Sequence, residues 1–338
     1  MSTIYDVAKL AGVSAKTVSR VVNDDNAVKV STREKVQAAM SQLDYRPNAQ
    51  ARSLRLGSQA SIGFLLEDPT SGYQGRFHHA MLSACMESRR YLAVELYEAG
   101  MPDWQANLDR FISDAQIKDM ILLPTLCDFG PLKSFLKDRN INCVLISPST
   151  PDSHYASVAM DDRLAAREVV EYLFSLGHCK IAHIAGHPDH AASILRRNGF
   201  YEAFDAAGLP RPPVSYMEHG YFSFKSGFEA AERLLALPDR PTAIFACNDE
   251  MAAAACSVAH KSGLRIPEDI AVIGFDDAPI SSAVWPALTT VRQPYLEMAR
   301  RSVQILAAAG DTLTASDRQI RHIISHQLVV RETTTLPL

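Results

Sequence analysis

From Ser61 onward, apolar runs of strand length alternate with amphipathic stretches of helix length, and no other feature of the 338-residue chain constrains its fold as tightly. SIGFLL, YLAVELY, IKDMILLP and INCVLIS read as strands, with helices near 76–90, 104–113 and 130–138 between them. The pattern restarts after about residue 162 with KIAHIAG, PVSYMEH, TAIFACN and DIAVIGF, separated by helices near 193–207, 223–236 and 249–262. Strands joined through helices favour parallel pairing with helices on both faces. Two successive repeats therefore imply an α/β core of two doubly wound, largely parallel sheets.

The first 60 residues differ from the rest in charge. They hold nine Lys and Arg against five Asp and Glu, a balance of +4, whereas the whole chain carries −4 and the remainder therefore −8. A small basic head on a large acidic body points to a nucleic-acid-binding module joined to something else. TIYDVAKLAGVSAKTVSRVVN, residues 3–23, reads as two short helices around a tight turn. Thr3 caps the first with Asp6 as its reciprocal partner, and Val7, Leu10 and Ala11 form its apolar stripe. Gly12 ends it. Ser14 caps the second, which buries Val18, Val21 and Val22 and turns Ala15, Lys16, Ser19 and Arg20 outward. A third helix is expected from Ser31, with Glu34 completing a capping box and Val36, Met40 and Leu43 facing inward. The three make an all-α helix-turn-helix unit whose second helix carries side chains suited to base edges in a major groove.

NAQARSLRLG follows Tyr45-Arg46-Pro47. Asn48 as N-cap and Gly57 as the residue past the end bracket a helix of about two turns, too short to hold without a partner. Arg52 and Arg55 suit phosphates, and an exposed Leu54 could wedge into a minor groove.

Ligands of open α/β sheets bind at the carboxyl ends of strands, and two facing lobes make the cleft between them the default site. Here strand ends run into Glu67-Asp68, Asn248-Asp249 and Asp276-Asp277, and Arg196-Arg197 lie just inside the helix after IAG. Carboxylates, an amide and an arginine suit a polyhydroxylated ligand, whose neighbouring hydroxyls both donate and accept. Phe222, Tyr73 or Phe77 could stack on a sugar ring. Asp249 and Asp277 could equally cap helices, and Arg197 could pair at the surface.

These stretches resemble the LacI/GalR family of transcription regulators. The likeness rests on TIYDVAKLAGVSAKTVSRVVN, VSTREKVQAAMSQLDYRPN and the ARSL segment. It continues through LGHCKIAHIAG, SILRRNGFYEAF, PTAIFACNDEMA, GLRIPEDIAVIGFDD and PALTTVRQP, nearly the whole chain. The resemblance implies a helix-turn-helix headpiece over 1–47, a hinge helix and linker over 48–59, and a bilobed periplasmic-binding-protein-like core over 60–338. Its first lobe would take about 60–161 plus 292–324, its second about 162–291 plus 325–338. It further implies a homodimer on a pseudo-palindromic double-stranded operator, repressing carbohydrate uptake or catabolic genes, with a mono- or oligosaccharide effector that alters DNA affinity.

By position, the resemblance makes Ala15, Lys16 and Arg20 base readers and Leu54 the hinge leucine of the central minor-groove step. Thr3, Tyr5, Ser14, Thr17, Ser19, Asn23, Asn48 and Arg52 join them as DNA-contacting candidates. Arg196, Asn248 and Asp276 fall at effector-contact positions and Phe222 at a stacking position, with Asp68, Tyr73, Arg76 and Phe77 opposite them. SGYQGRF departs from the small apolar or aromatic run often found there, which points to an effector with extra polar groups or more than one ring. Helices near 76–90 and 294–309 are the expected dimer contacts, and no heptad tail supports a tetramer.

Other classes lack their parts. No G-x-S-x-G elbow, P-loop or H-E-x-x-H occurs, and adjacent carboxylates such as Asp161-Asp162 point to opposite faces of a strand, so an enzyme acting on a sugar is disfavoured. His178, Cys179, His183, His187 and His190 crowd one segment, but a strand followed by a loop does not give metal-ligand spacing, and no metal or cofactor is expected. The six cysteines are scattered without a C-x-x-C pair and read as reduced thiols. The N-terminus carries Asp6 early without an apolar core segment, so a cytoplasmic location, without a membrane partner, is expected. A periplasmic solute receptor would need an export signal and has no use for residues 1–57. A nucleobase sensor would need flat stacking and edge recognition, and the Asp/Asn/Arg set leans instead to a sugar.

Overall fold

The computed structural model describes residues 3–22, 28–43, 45, 61–97, 100–309 and 320–335. The chain forms two compact units, residues 1–60 and 61–338.

In the first unit, α1 (Ile4–Ala11), α2 (Ala15–Val22) and α3 (Val30–Gln42) enclose a core of Val7, Ala8, Val18, Val21, Val36 and Ala39. The capping box of α1 forms: the Asp6 amide donates to Thr3 Oγ1 at 3.3 Å and the Thr3 amide to Asp6 Oδ2 at 2.8 Å. Gly12, at φ +66°, closes α1 in the left-handed region that glycine enters without steric cost. Ser14 caps α2 through the Thr17 amide at 3.1 Å. Two expectations fail. Leu10 is exposed and Ala8 takes its place inside, because the tight crossing of three short helices selects small side chains at their contacts. The Ser31–Glu34 capping box does not form: α3 begins one residue earlier, Lys29 precedes it with no side-chain cap, and Ser31 lies within its first turn.

The second unit opens with β1 (Ser61–Leu66), α4 (Gly72–Glu87), β2 (Tyr91–Leu96), α5 (Trp104–Asp114), β3 (Asp119–Leu122), α6 (Gly130–Asp138), β4 (Asn142–Ile146) and β5 (Ala156–Ala159). With β11 (Arg321–Ile323) these strands form a parallel sheet ordered β11-β5-β4-β3-β1-β2. The chain then crosses to α7 (Asp162–Ser175), β6 (Ile181–Ala185), α8 (Ala191–Ala206), β7 (Met217–His219), α9 (Phe224–Leu235), β8 (Ala243–Ala246), α10 (Asp249–Lys261) and β9 (Ala271–Ile273). This second parallel sheet is ordered β7-β6-β8-β9.

Each sheet carries an apolar core on both faces, as doubly wound strands require. A short helix, α11 (Pro279–Ala283), leads to β10 (Thr290–Arg292), which pairs antiparallel with β12 (Gln327–Val329). Between them α12 (Tyr295–Ala309) packs into the first sheet's core beside α4, so the chain passes from one sheet region to the other three times. The strand Ala156–Ala159, the helix Asp162–Ser175 and the β10–β12 ribbon were not anticipated from sequence. In α8, Gly199 lets two helices touch: a Cβ there would lie 2.0 Å from the Arg163 carbonyl oxygen in α7.

Candidate functional site

In the first unit, Lys16 and Arg20 stand one turn apart on α2 and both are exposed, beside half-buried Thr17 and Ser19. Tyr5 on α1 is 74% exposed. The hydroxyls of Thr3 and Ser14 are engaged in capping, Thr3 with Asp6 at 2.7 Å and Ser14 with Thr17 Oγ1 at 2.9 Å. Ala15, expected outward, is half-buried against the headpiece core, since the first residue of α2 sits over the turn that joins it to α1. Asn23, Asn48, Arg52 and Leu54 lie outside the described residues.

In the second unit, Arg196 is the most completely held of the expected polar residues. Its Nε and Nη2 donate to Asp162 Oδ1 at 2.8 and 2.7 Å, Nη1 donates to the Cys247 carbonyl, and the guanidinium lies 3.5 Å over the Phe275 ring. One N–H on each Nη remains for a ligand. The close α7–α8 approach at Gly199 brings Asp162 to Arg196. The neighbouring Ser193, one turn earlier on α8, is buried with no partner for its Oγ among the described residues.

Asp276 is buried immediately after Phe275, its backbone at φ +113°. Its carboxylate accepts from Gln293 Nε2 and, at 3.2 Å, pairs with Arg76 Nη2. Burial raises its pKa, against the pull of Arg196 and Arg76. Arg76 comes from α4 on the first sheet, so this ion pair spans the two sheet regions. Tyr295, at the start of α12, accepts from Arg76 Nη2 at 3.1 Å and lies with its ring 5.2 Å from the guanidinium. Tyr73, one turn before Arg76, packs on Phe77 and Tyr295. Burial, followed by the charge of Asp162, raises its hydroxyl pKa, with Asp276 adding and Arg196 opposing. Groups from both sheet regions thus converge at one place.

Phe222 and Asn248 form a unit. Tyr221 and Phe222 both adopt positive φ, +47° and +60°, and Asn248 Nδ2 donates to the Phe222 carbonyl at 2.9 Å. Asn248 Oδ1 meanwhile caps α10 through the Met251 amide. One of its two amide N–H groups holds the loop, so Asn248 positions Phe222. The ring of Phe222 stacks near His190 and lies against Gly186, where a Cβ would sit 2.1 Å from it.

Three other expectations are corrected or reassigned. Phe77 is fully buried in the first sheet's core, stacked near Phe64, and offers no face to a ligand, because its side of α4 packs on the sheet. Asp68 is exposed and closes a turn with Oδ1, accepting from the Thr70 amide at 2.8 Å and hydroxyl at 2.6 Å. Asp249 is not the cap of α10. It is buried, accepts from Thr290 Oγ1 and the Ala278 amide at 2.6 Å each, and is pushed up to about 8, chiefly by burial. Of the histidines, His183 packs between Phe200 and Phe245 with Nδ1 on the Phe245 carbonyl, and burial lowers it to about 3. Asp162, expected on a strand beside Asp161, instead opens α7 with Asp161 as its N-cap, and its role here, like those of Ser193, Phe275, Gln293 and Tyr295, was missed. Only Phe275 had a usable signal, its place at the end of a strand run.

Comparison with known proteins accounts for both units. Residues 3–48 match the model of bacterial regulatory proteins of the lacI family, and residues 170–334 match the periplasmic binding protein-like domain. The chain is 35% identical over 300 residues to the probable HTH-type transcriptional repressor ExuR of Bacillus subtilis (strain 168), covering 87% of each. It is 33% identical over 306 residues to the ribose operon repressor of Escherichia coli (strain K12), covering 90% of this chain and 92% of the relative. Among solved structures, the lac repressor dimer bound to operator and the anti-inducer ONPF superposes with a TM-score of 0.77 at 29% identity, covering 98% of this chain and 99% of the other. The family's members are transcriptional repressors and not enzymes. The chain belongs to the LacI family, as a DNA-binding repressor that answers to an effector ligand.

Proposed function

We propose that the chain represses genes of carbohydrate uptake or catabolism, working in the cytoplasm as a homodimer on a pseudo-palindromic operator. A mono- or oligosaccharide bound between the two sheet regions would weaken its hold on DNA. The observation that carries this reading is the convergence of Tyr73 and Arg76 from the first sheet region with Asp162, Arg196 and Asp276 from the second, with the Phe222 backbone tied to Asn248, next in sequence to the Cys247 carbonyl that Arg196 holds. Such a set offers hydroxyl partners of both kinds together with a stacking face. The ribose operon repressor and the operator-bound lac repressor are the relatives that favour it. Because Arg76 and Asp276 belong to different sheet regions, a ligand touching either changes how the regions are held. That change is the differential interaction an allosteric effector needs.

The test is an operator selected from random DNA, titrated with the full chain in the presence of a panel of neutral and acidic sugars. One sugar is expected to lower operator affinity 5–150-fold, the usual span of allosteric coupling, and to raise the melting temperature of the free protein by mass action. Arg196→Ala should abolish both responses. A panel with no effect on either readout, or consumption of a bound sugar, would sink the proposal.

A further inference from the structure

Resting on the carbohydrate reading of the cleft, we infer that the effector carries an anionic oxygen group, carboxylate or phosphate, and that Arg76 receives it in competition with Asp276.

The hydrogen-bond inventory of the site is lopsided. Its carboxylates already hold donors: Asp162 Oδ1 takes Arg196, Asp276 takes Gln293 and Arg76, and Asp249 takes Thr290 and Ala278. Its unengaged groups are donors. Arg76 Nε and Nη1 are both buried without a partner among the described residues, and no other side chain there leaves two such atoms. Ser193 Oγ, which can donate and accept, is likewise without a partner, and Arg196 keeps one N–H on each Nη. A neutral sugar brings donors with its acceptors, and every hydroxyl that accepts from Arg76 must donate in turn, to a carboxylate that already holds a donor or to Ser193 Oγ. An ionised carboxylate or phosphate only accepts. Its bonds to a guanidinium are charge-assisted and about twice as strong as neutral ones.

Two further features fit. Nε and Nη1 are already out of water, so binding an anion there strips little further hydration from them. The Arg76–Asp276 contact, at 3.2 Å, exceeds the roughly 2.7–2.9 Å of a close arginine–carboxylate bond, so Asp276 is a replaceable partner. Tyr295 keeps the guanidinium in place from the side of Nη2.

The experiment is calorimetric titration of the full chain with matched probes: glucuronate, glucose 6-phosphate and glucose, and the same three forms of galactose, with succinate and inorganic phosphate as non-sugar anions. At least one charged sugar should bind 30-fold or more tighter than its neutral parent, and whether the acid or the phosphate does so identifies the group. Arg76→Gln should cost that charged sugar at least tenfold in affinity, while Arg76→Lys, which keeps the charge, should lose less. Circular dichroism would establish that both variants are folded. A neutral parent that binds as tightly as its charged form overturns the inference and leaves the carbohydrate reading standing, as does undiminished binding of the charged sugar by Arg76→Gln. Binding of succinate or phosphate alone, lost in Arg76→Gln, upholds the anion and overturns the carbohydrate. Binding of no probe overturns both.

Discussion

Asp249 is buried beside Asp276 and held by Thr290 and Ala278, and burial first, then the Asp276 charge, raises its pKa to about 8. The unfolded chain gives up that proton near the ordinary aspartate value of 3.8, so between those values the folded state binds more protons and stability falls as pH rises. His183, lowered to about 3, acts with the opposite sign, but only below its unfolded value of 6.5. From pH 6.5 to 8 the Asp249 effect is therefore uncovered. Asp249→Asn should flatten the decline in denaturation midpoint over that window, whose slope for one proton is about 1.4 kcal/mol per pH unit. An unchanged difference between variant and wild type across pH would show that Asp249 is ionised in the native protein. At the same scale, sequence singled out Asp276 because it follows a strand run and Arg196 because it lies just inside the helix after one, but it misjudged Phe77. Tyr73 and Phe77 share one side of α4, and only the residue nearer the helix start reaches the charged groups while the other enters the core. Tyr295 and Gln293 were illegible because they reach the site from just after β10, where the chain turns back toward the first sheet.

Elements followed the sequence where one period dominated. The central strands of both sheets fell on their apolar runs, and α5, α6 and α10 lie within a residue of their expected bounds. Ala156–Ala159 and Arg321–Ile323 are too short to show a period and owe their pairing to neighbouring strands. The helix pair α7 and α8 carries a constraint that no pattern reveals, the contact at Gly199. Alanine is intrinsically the better helix former by about 1 kcal/mol, yet its Cβ would drive into the Arg163 carbonyl of α7. Gly199→Ala should therefore destabilise the second unit by about 1–3 kcal/mol through overpacking. It should also weaken effector binding at least tenfold, as Asp162 on α7 is displaced from Arg196 on α8. Calorimetric melting and ligand titration check both, and a variant as stable as wild type with full affinity would show that the helices separate without moving the pair.

Across the whole molecule, the edge of the first sheet leaves apolar surface exposed among the described residues. Leu82 and Met86, one turn apart on α4, are 41% and 79% exposed, and Val94 and Leu96 on the edge strand β2 are 38% and 66% exposed. Val94 and Leu96 share the side of the sheet on which Leu92 packs with the α4 core, so the four residues flank one strip. An open edge strand beside apolar helix residues invites association, and a two-fold axis lets the same strip meet itself. Reading a two-fold operator requires two headpieces, so losing this contact should remove DNA binding without touching the ligand site. Met86→Asp combined with Leu96→Asp is expected to shift sedimentation from dimer to monomer and to weaken operator binding at least 100-fold. Effector affinity should stay within about twofold, because Arg76, Arg196 and Asp276 all belong to one chain. A doubly substituted protein that still sediments as a dimer would place the interface elsewhere, and a monomer with full operator affinity would remove the two-fold reading of DNA.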